Sequence, residues 1–561
     1  MLLKRHFALR VLCIGLLLAA CSEPAPAPDS AAPASTALWQ DYDETAELAA
    51  LAALPDADLH FRQLNSHLRD KNALWSGFAA ELDAFGAGEY RRLQALVLEA
   101  GVRSLQEAVA AGQLSYEALT LFYLYRIREI ESDRTRYLNA VIAINPQALE
   151  QAQAADLARL SGTVTVDPDS LFGLPVLLKD NIGAAGMPTT AGAAVLAGNL
   201  SDDAFVTQRL RASGAVILGK TNLSEWAYFF CDDCPSGWSA MGGQTLNPYG
   251  RLAFGTGGSS SGSAAAVAAN LAAVTVGSET SGSILSPASR HSAVGFKPTT
   301  GRLSRSGVIP ISATLDTTGP ITRSVRDAIS LFNALQGYDA ADPKMDQLHD
   351  GPLAFTAQPL PGQRLGYFEA WLDEPRYAAA IAALEAAGAS MIALEPPALE
   401  LAGFDRFLGM EMRRDLAAWL QTSAAAQTRV DSVQDIVVFN NSNAALYAPY
   451  GQALFDMMLT LPASAGNEAE SGTLLLDGAS AALSALYATH RLDALVSLNN
   501  RSAALAALAN HPALTLPLGL DPRGQPLGLT LITPSWQEQT LVSLGLAVEA
   551  LVGRREIPSG L

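Results

Sequence analysis

From about residue 170 to 325 the chain is rich in glycine, serine and threonine, yet short apolar runs recur inside it. They are Leu174 to Leu178, Ala215 to Leu218 and Ala272 to Val276. A flexible linker threaded between such runs would leave backbone N–H and C=O groups without partners, so the runs read as buried strands. Between the second and third, Ser263 to Ala273 is Ala-rich and predicts a helix, because alanine loses least on entering one. Strands alternating with a helix predict a layered α/β sheet.

The flanks have another texture. Residues 40 to 135 carry helix-period patterns, with one helical stretch over Ala80 to Leu98 and another over Leu105 to Ile130. A second helical region covers 375 to 490. Strand-like runs return between Leu492 and Ile532, notably Ala513 to Leu518 and Gly528 to Ile532, and Gln537 to Leu551 predicts a closing helix. With 561 residues, 49% of them hydrophobic, the chain can bury a large core. No internal repeat is evident.

The N-terminus reads as a targeting segment. Lys4, Arg5 and Arg10 form a positive region, and the run Val11 to Ala20 is too short to span a bilayer. It ends in Leu18-Ala19-Ala20-Cys21, which resembles the lipobox of bacterial lipoproteins. That resemblance implies a signal peptide over 1–20 and acylation of Cys21. Ser22 is not the aspartate that retains lipoproteins in the inner membrane, so the expected address is the outer membrane, facing the periplasm. Residues 21–39, rich in Pro and Ala, read as a tether, and 40–100 as a helical extension ahead of the main domain, 101–561. The net charge of −18 makes nucleic acid a poor partner, since few cations are available to displace counterions. A lipid anchor at Cys21 is the one expected contact with a membrane.

Four motifs carry possible chemistry. Gly214-Ala-Val-Ile-Leu-Gly-Lys-Thr221 matches a phosphate-loop pattern letter for letter. Its four inner residues belong in a buried strand, however, and not in a loop that curls around an anion. Lys220 then falls just past a strand end. Gly257-Gly-Ser-Ser-Ser-Gly-Ser263 joins strained-backbone glycines to the predicted helix and its N-terminal field. Gly277-Ser-Glu-Thr-Ser-Gly-Ser-Ile284 follows an apolar run, where a serine on a tight turn can combine a nucleophile with backbone N–H donors. Finally, Gly173-Leu-Pro-Val-Leu-Leu-Lys-Asp-Asn181 places Lys179 at the end of an apolar run, where burial would make its amine a usable base. Taken singly, each also has a structural reading: a flexible linker, an ordinary turn, a surface lysine.

Taken together, in this order and spacing, they resemble the amidase signature family, and within it the bacterial peptide-amidase branch. The stretches Gly219-Lys-Thr-Asn-Leu-Ser-Glu-Trp226, Gly295-Phe-Lys-Pro298 and Asp316-Thr-Thr-Gly-Pro320 add to the resemblance. It implies an α/β amidase-signature fold, a large mixed β-sheet core flanked by helices on both faces, with the catalytic core at 170–330. It further implies that Lys179 is the base, Ser259 the bridging residue after a cis peptide from Gly258, and Ser283 the nucleophile. The backbone N–H groups of Thr280, Ser281, Gly282 and Ser283 would line the oxyanion hole, with Ser260 in support. The implied reaction is hydrolysis of a carboxamide through an acyl-enzyme, on a peptide amide or a similar small amide, with no metal and no cofactor. Fatty or aryl amides are the alternative substrates, and a non-catalytic lipoprotein keeping the fold is the alternative function.

Three positions depart from the family pattern: Ser261 and Ser281 stand where glycine is common, and Leu285 where arginine is common. None removes a catalytic group. Cys231 and Cys234 form the one CxxC pair, with Asp232 and Asp233 between them, and read either as a disulfide or as two free thiols. The neighbouring Trp226, Tyr228, Phe229 and Trp238 either wall a substrate entrance or simply pack together.

Overall fold

The computed structural model describes residues 38–561 except 346–350, 400 and 462–465, and at 466–471 the backbone alone. The expected signal peptide, Cys21 and nearly all of the tether therefore lie outside the described residues. No helix among the described residues is long and apolar enough to cross a membrane.

Eleven strands form one mixed sheet: β1 (Val141–Ile144), β2 (Pro175–Lys179), β3 (Val216–Thr221), β4 (Val274–Glu279), β5 (Val294–Lys297), β6 (Thr317–Thr322), β7 (Arg364–Phe368), β8 (Ser390–Leu394), β9 (Ala494–Leu498), β10 (Ala513–Leu520) and β11 (Pro526–Ile532). Their order across the sheet is β1-β3-β2-β4-β6-β5-β10-β11-β9-β7-β8. Inside the edge strand β1, which pairs antiparallel with β3, the strands β3, β2 and β4 run parallel, and β9, β7 and β8 run parallel at the other end. Between them β4, β6, β5, β10, β11 and β9 pair antiparallel in turn. Every residue of β2, β3 and β4 is buried, which explains why their sequences read as continuous apolar runs without alternation.

The Ala-rich helix spans Ser261–Ala268, shorter than the expected Ser263 to Ala273. Asn270, with φ 56°, ends the turn, and Ala272-Ala273 lead into β4. All eight helical residues are buried against the sheet. Gly262 permits this approach: a Cβ there would lie 2.5 Å from the carbonyl oxygen of Asn222.

Other expectations are corrected by backbone chemistry. The helical stretch Leu105 to Ile130 is two helices, Val102–Ala110 and Tyr116–Glu131. Gly112, at φ 70°, and Ser115, whose hydroxyl accepts from the Ala118 N–H, break it. The region 375–490 is not wholly helical, because Ser390–Leu394 forms the outermost strand β8. Its exposed Ser390 and Ala393 dilute the apolar signal. Lys220 lies within β3, not past its end, opposite Leu178 of β2.

Residues 39–97 share the main hydrophobic core. Trp39 is buried edge-on against Tyr137, and the Glu44 carboxylate accepts the N–H groups of Leu64 and Asn65 at 2.8 and 2.9 Å. The Leu64 carbonyl in turn accepts from the Gln244 N–H, which fastens this segment onto a two-stranded ribbon, Trp238–Ser239 with Gly243–Gln244. A second core lies beneath the helices Phe404–Thr422 and Ala453–Thr460. Trp226 (against Phe455) and Trp238 (against Tyr450) are buried in it, and Phe229 is buried beside them. Of the four aromatics Trp226, Phe229 and Trp238 are buried, and Tyr228 is exposed. Cys231 and Cys234 are joined in a disulfide.

Candidate functional site

The parallel pairing of β2 with β4 sets the geometry. Lys179 is the last residue of β2 and is fully buried. Its Nζ lies 2.7 Å from Ser259 Oγ, 2.9 Å from Ser278 Oγ and 3.1 Å from the Ser278 carbonyl oxygen. Burial pulls the amine down from the ordinary lysine range to about 7, against the carboxylates of Asp316 and Glu279, which favour its charged form. The Gly258–Ser259 peptide is cis. Gly258 has no room for a side chain, since a Cβ would sit 2.4 Å from Ser224 Oγ.

Ser260 hydrogen-bonds the same carbonyl: its Oγ donates to Ser278 O at 3.0 Å. Its N–H donates to Ser283 O at 3.0 Å, which fixes the Gly/Ser loop to the turn that follows β4. Among the described residues, no hydrogen bond closes between the Ser259 and Ser283 hydroxyls. Ser261 donates to the Gly257 carbonyl at 2.6 Å, which accounts for a serine at that position.

The turn after β4 is built around a carboxylate. Glu279 Oε2 accepts the N–H groups of Ile284 and Leu285 at 2.7 and 3.0 Å, with Gly282 at φ 89°. A glycine suits this left-handed position, and the backbone reversal brings Ser283 round beside Ser260. The N–H groups of Thr280, Ser281, Gly282 and Ser283 donate to no acceptor among the described residues. Leu285 contributes its backbone N–H to Glu279 Oε2, and its side chain is buried.

Four residues of this network were not singled out by motif. Ser278 accepts from both Lys179 and Asn181 Nδ2, the latter at 2.9 Å, and so orients the amine. Asp316, just ahead of β6, accepts the Thr280 hydroxyl at 2.6 Å on Oδ1 and the N–H groups of Ile311 and Ser312 on Oδ2. Burial pushes its carboxyl up to about 6, although these hydrogen bonds and the Arg305 charge favour ionisation. All four stood within quoted stretches, but the pattern alone gave their side chains no role. A cavity of about 200 Å³ opens beside this network, with Asn181, Ser278, Thr280 and Asp316 on one wall and Ile309 and Ile311 on another.

Lys220, the phosphate-loop lysine of the pattern, is fully buried in an ion pair with Asp180 Oδ1 at 3.1 Å and lies 3.0 Å from Thr189 Oγ1. It anchors the residue next to Lys179, and of the two glycines of the pattern Gly214 precedes β3 while Gly219 lies within it. Among the described residues no group of His, Cys, Asp or Glu is arranged to hold a metal.

The amidase family model matches residues 118–440. A probable amidase of Arabidopsis thaliana is 37% identical over 82% of this chain and 92% of its own length. Among solved structures, native peptide amidase from Stenotrophomonas maltophilia is 37% identical, with a TM-score of 0.75 over 82% of this chain and 98% of its own. An amidase family protein from Bacillus anthracis has 34% identity and a TM-score of 0.82, covering 88% of this chain and all of its own.

Proposed function

The chain belongs to the amidase signature family and is an amidohydrolase, and on that premise we propose that it removes the C-terminal amide of peptides through a Lys179–Ser259–Ser283 relay. The observation that carries the relay is the contact of the buried Lys179 amine with Ser259 Oγ. A neutral amine has two N–H bonds and one lone pair. With both hydrogens directed at Ser278 O and Oγ, the lone pair faces the Ser259 hydroxyl and can take its proton. Ser259 then accepts the proton of Ser283 as Ser283 Oγ attacks the carboxamide carbon. The carbonyl oxygen becomes an oxyanion facing the N–H groups of residues 280–283. The proton returns through Ser259 to the departing nitrogen, ammonia leaves, and water attacks the acyl-enzyme under the same base.

The substrate class rests on the similarity to the Stenotrophomonas peptide amidase. The test is a panel of peptide amides, free amino-acid amides, fatty amides and aryl amides, read by ammonia release. Peptide amides are expected to have the highest kcat/KM. A fatty or aryl amide that surpasses every peptide amide overturns that part of the reading.

For location, we propose an outer-membrane lipoprotein facing the periplasm, on the sequence Leu18-Ala19-Ala20-Cys21. The wild-type protein is expected in the membrane fraction, and Cys21→Ser in the soluble fraction. Equal partitioning of the two removes the anchor.

A further inference from the structure

The loop that follows β9 brings a side-chain amide against the turn that carries Ser283. At Gly282 a Cβ would stand 3.4 Å from Ala503 Cβ and 3.6 Å from Asn500 Nδ2, both ordinary contact distances. Asn500 therefore packs on the residue next to the proposed nucleophile. In a bound peptide amide, the peptide bond upstream of the scissile carboxamide is likewise one residue away from the reacting carbon, a step of about 3.8 Å between Cα atoms.

Asn499 and Asn500 are neighbours with different duties. Asn499 takes a left-handed φ of 52°, which asparagine tolerates. Its N–H donates to the Gly528 carbonyl at 2.7 Å, its Oδ1 accepts the Gly528 N–H at 2.7 Å, and its carbonyl accepts the Thr530 hydroxyl. The Asn500 backbone is fixed as well, its carbonyl accepting from the Ala503 N–H at 2.9 Å. The Asn500 side chain, by contrast, makes no hydrogen bond among the described residues. It is half-buried, and its amide atoms are not among the fully enclosed unpaired polar atoms, so they are open to a ligand. The turn beside it has the same property. The N–H groups of residues 280–283 donate to no acceptor among the described residues, and Ser281 is half-buried. A rigid loop thus holds an unused amide next to a row of unused donors.

We propose that Asn500 is a substrate-binding residue that hydrogen-bonds the peptide bond immediately upstream of the scissile carboxamide. A side-chain amide and a peptide bond each offer N–H and C=O, so the two can pair as donor and acceptor in both directions. With the reacting carbonyl on the N–H groups of the turn and the next group on Asn500, the acyl part is fixed at two points. The inference rests on the peptide-amide reading above and adds to it a means of telling a peptide amide from a simple carboxamide.

Three substrates with one carbon skeleton test it: N-acetyl-leucinamide, leucinamide, and isocaproamide, which has hydrogen in place of the α-nitrogen. Ammonia release by the purified protein is the readout, and ratios between substrates do not depend on how much of a variant is folded. The wild type is expected to favour N-acetyl-leucinamide over isocaproamide by about five- to fiftyfold in kcat/KM. In Asn500→Leu, of similar size but without hydrogen-bonding groups, that ratio should fall to about one, through a raised KM for N-acetyl-leucinamide. In Asn500→Asp a carboxylate would face the α-ammonium of leucinamide, and the ratio of leucinamide to N-acetyl-leucinamide should rise at least threefold. A wild-type ratio that persists in Asn500→Leu overturns the inference, whether both activities drop together or neither does. An unchanged ratio in Asn500→Asp overturns it too. Turnover of isocaproamide with none of N-acetyl-leucinamide in the wild type overturns the peptide-amide reading, and this inference with it.

Discussion

Ser283→Ala is expected to lower ammonia release from peptide amides by about 10⁴- to 10⁶-fold while leaving the thermal midpoint where it was. The two halves of this expectation have separate grounds. On the proposed relay, removing Ser283 Oγ forfeits the acyl-enzyme route, and what would remain is stabilisation of the oxyanion by the N–H groups of residues 280–283. The fold does not depend on the hydroxyl, which makes no hydrogen bond among the described residues. The turn is held by Glu279 on the N–H groups of Ile284 and Leu285 and by the Ser283 carbonyl on the Ser260 N–H. None of these contacts involves the atom removed. Ammonia assays and thermal melts on the same preparation check both halves. Turnover within tenfold of wild type would remove Ser283 from the chemistry, and a melt lowered by many degrees would mean that the lost activity reports unfolding.

How much of this site could be read from sequence depends on where each residue stands. Lys179, Ser259 and Ser283 were accessible as candidates because each closes an apolar run or sits in a Gly/Ser turn, and their proposed roles came from the resemblance those motifs carry together. Asp316 was not, because its role is created by sheet pairing. β4 and β6 run antiparallel with Glu279 opposite Thr317, so the residue before β6 arrives beside the residue after β4. Nothing in the run Asp316-Thr-Thr-Gly-Pro320 announces Thr280 as a partner. Ser278 was hidden for a related reason, since its carbonyl and hydroxyl both face Lys179 only once β2 and β4 lie parallel. The mixed sheet was accessible in its buried centre, where strands read as unbroken apolar runs. It was lost at its edge, where β8 carries the exposed Ser390 and Ala393 and falls inside helical surroundings. The left-handed run Trp226, Ala227 and Tyr228, with φ of 51°, 55° and 77°, had no signal either, since none of the three is a glycine.

The second large effect is at Lys179, where two variants and a pH profile separate a base from a buried structural amine. Lys179→Met is expected to cost about 10³-fold or more in kcat, because neither serine hydroxyl is an effective base at neutral pH. On the proposed relay the active form of the wild type is the neutral amine. Activity should therefore rise with pH through about 7, the value to which burial lowers Lys179, and level off above it. Burial sets that position, and Asp316 and Glu279 keep it from falling further, since both carboxylates favour the ammonium. Asp316→Asn removes one of them and is expected to move the acid limb to lower pH. A merely structural aspartate would reduce activity without moving the limb. Stability moves in the same direction as activity, but over a different pH window. Between about 7 and the ordinary lysine value of 10.5, the unfolded chain holds a proton on Lys179 that the folded chain does not, so this group makes folding less favourable at the acid end of that window and progressively less so toward 10.5. Lys179→Met removes that penalty, and its thermal midpoint at pH 7 should not fall below that of the wild type. The relay survives only if activity is lost while stability is kept. An active Lys179→Met protein at pH 7, or an acid limb in the wild type that stays well below pH 6, would assign the base to another group.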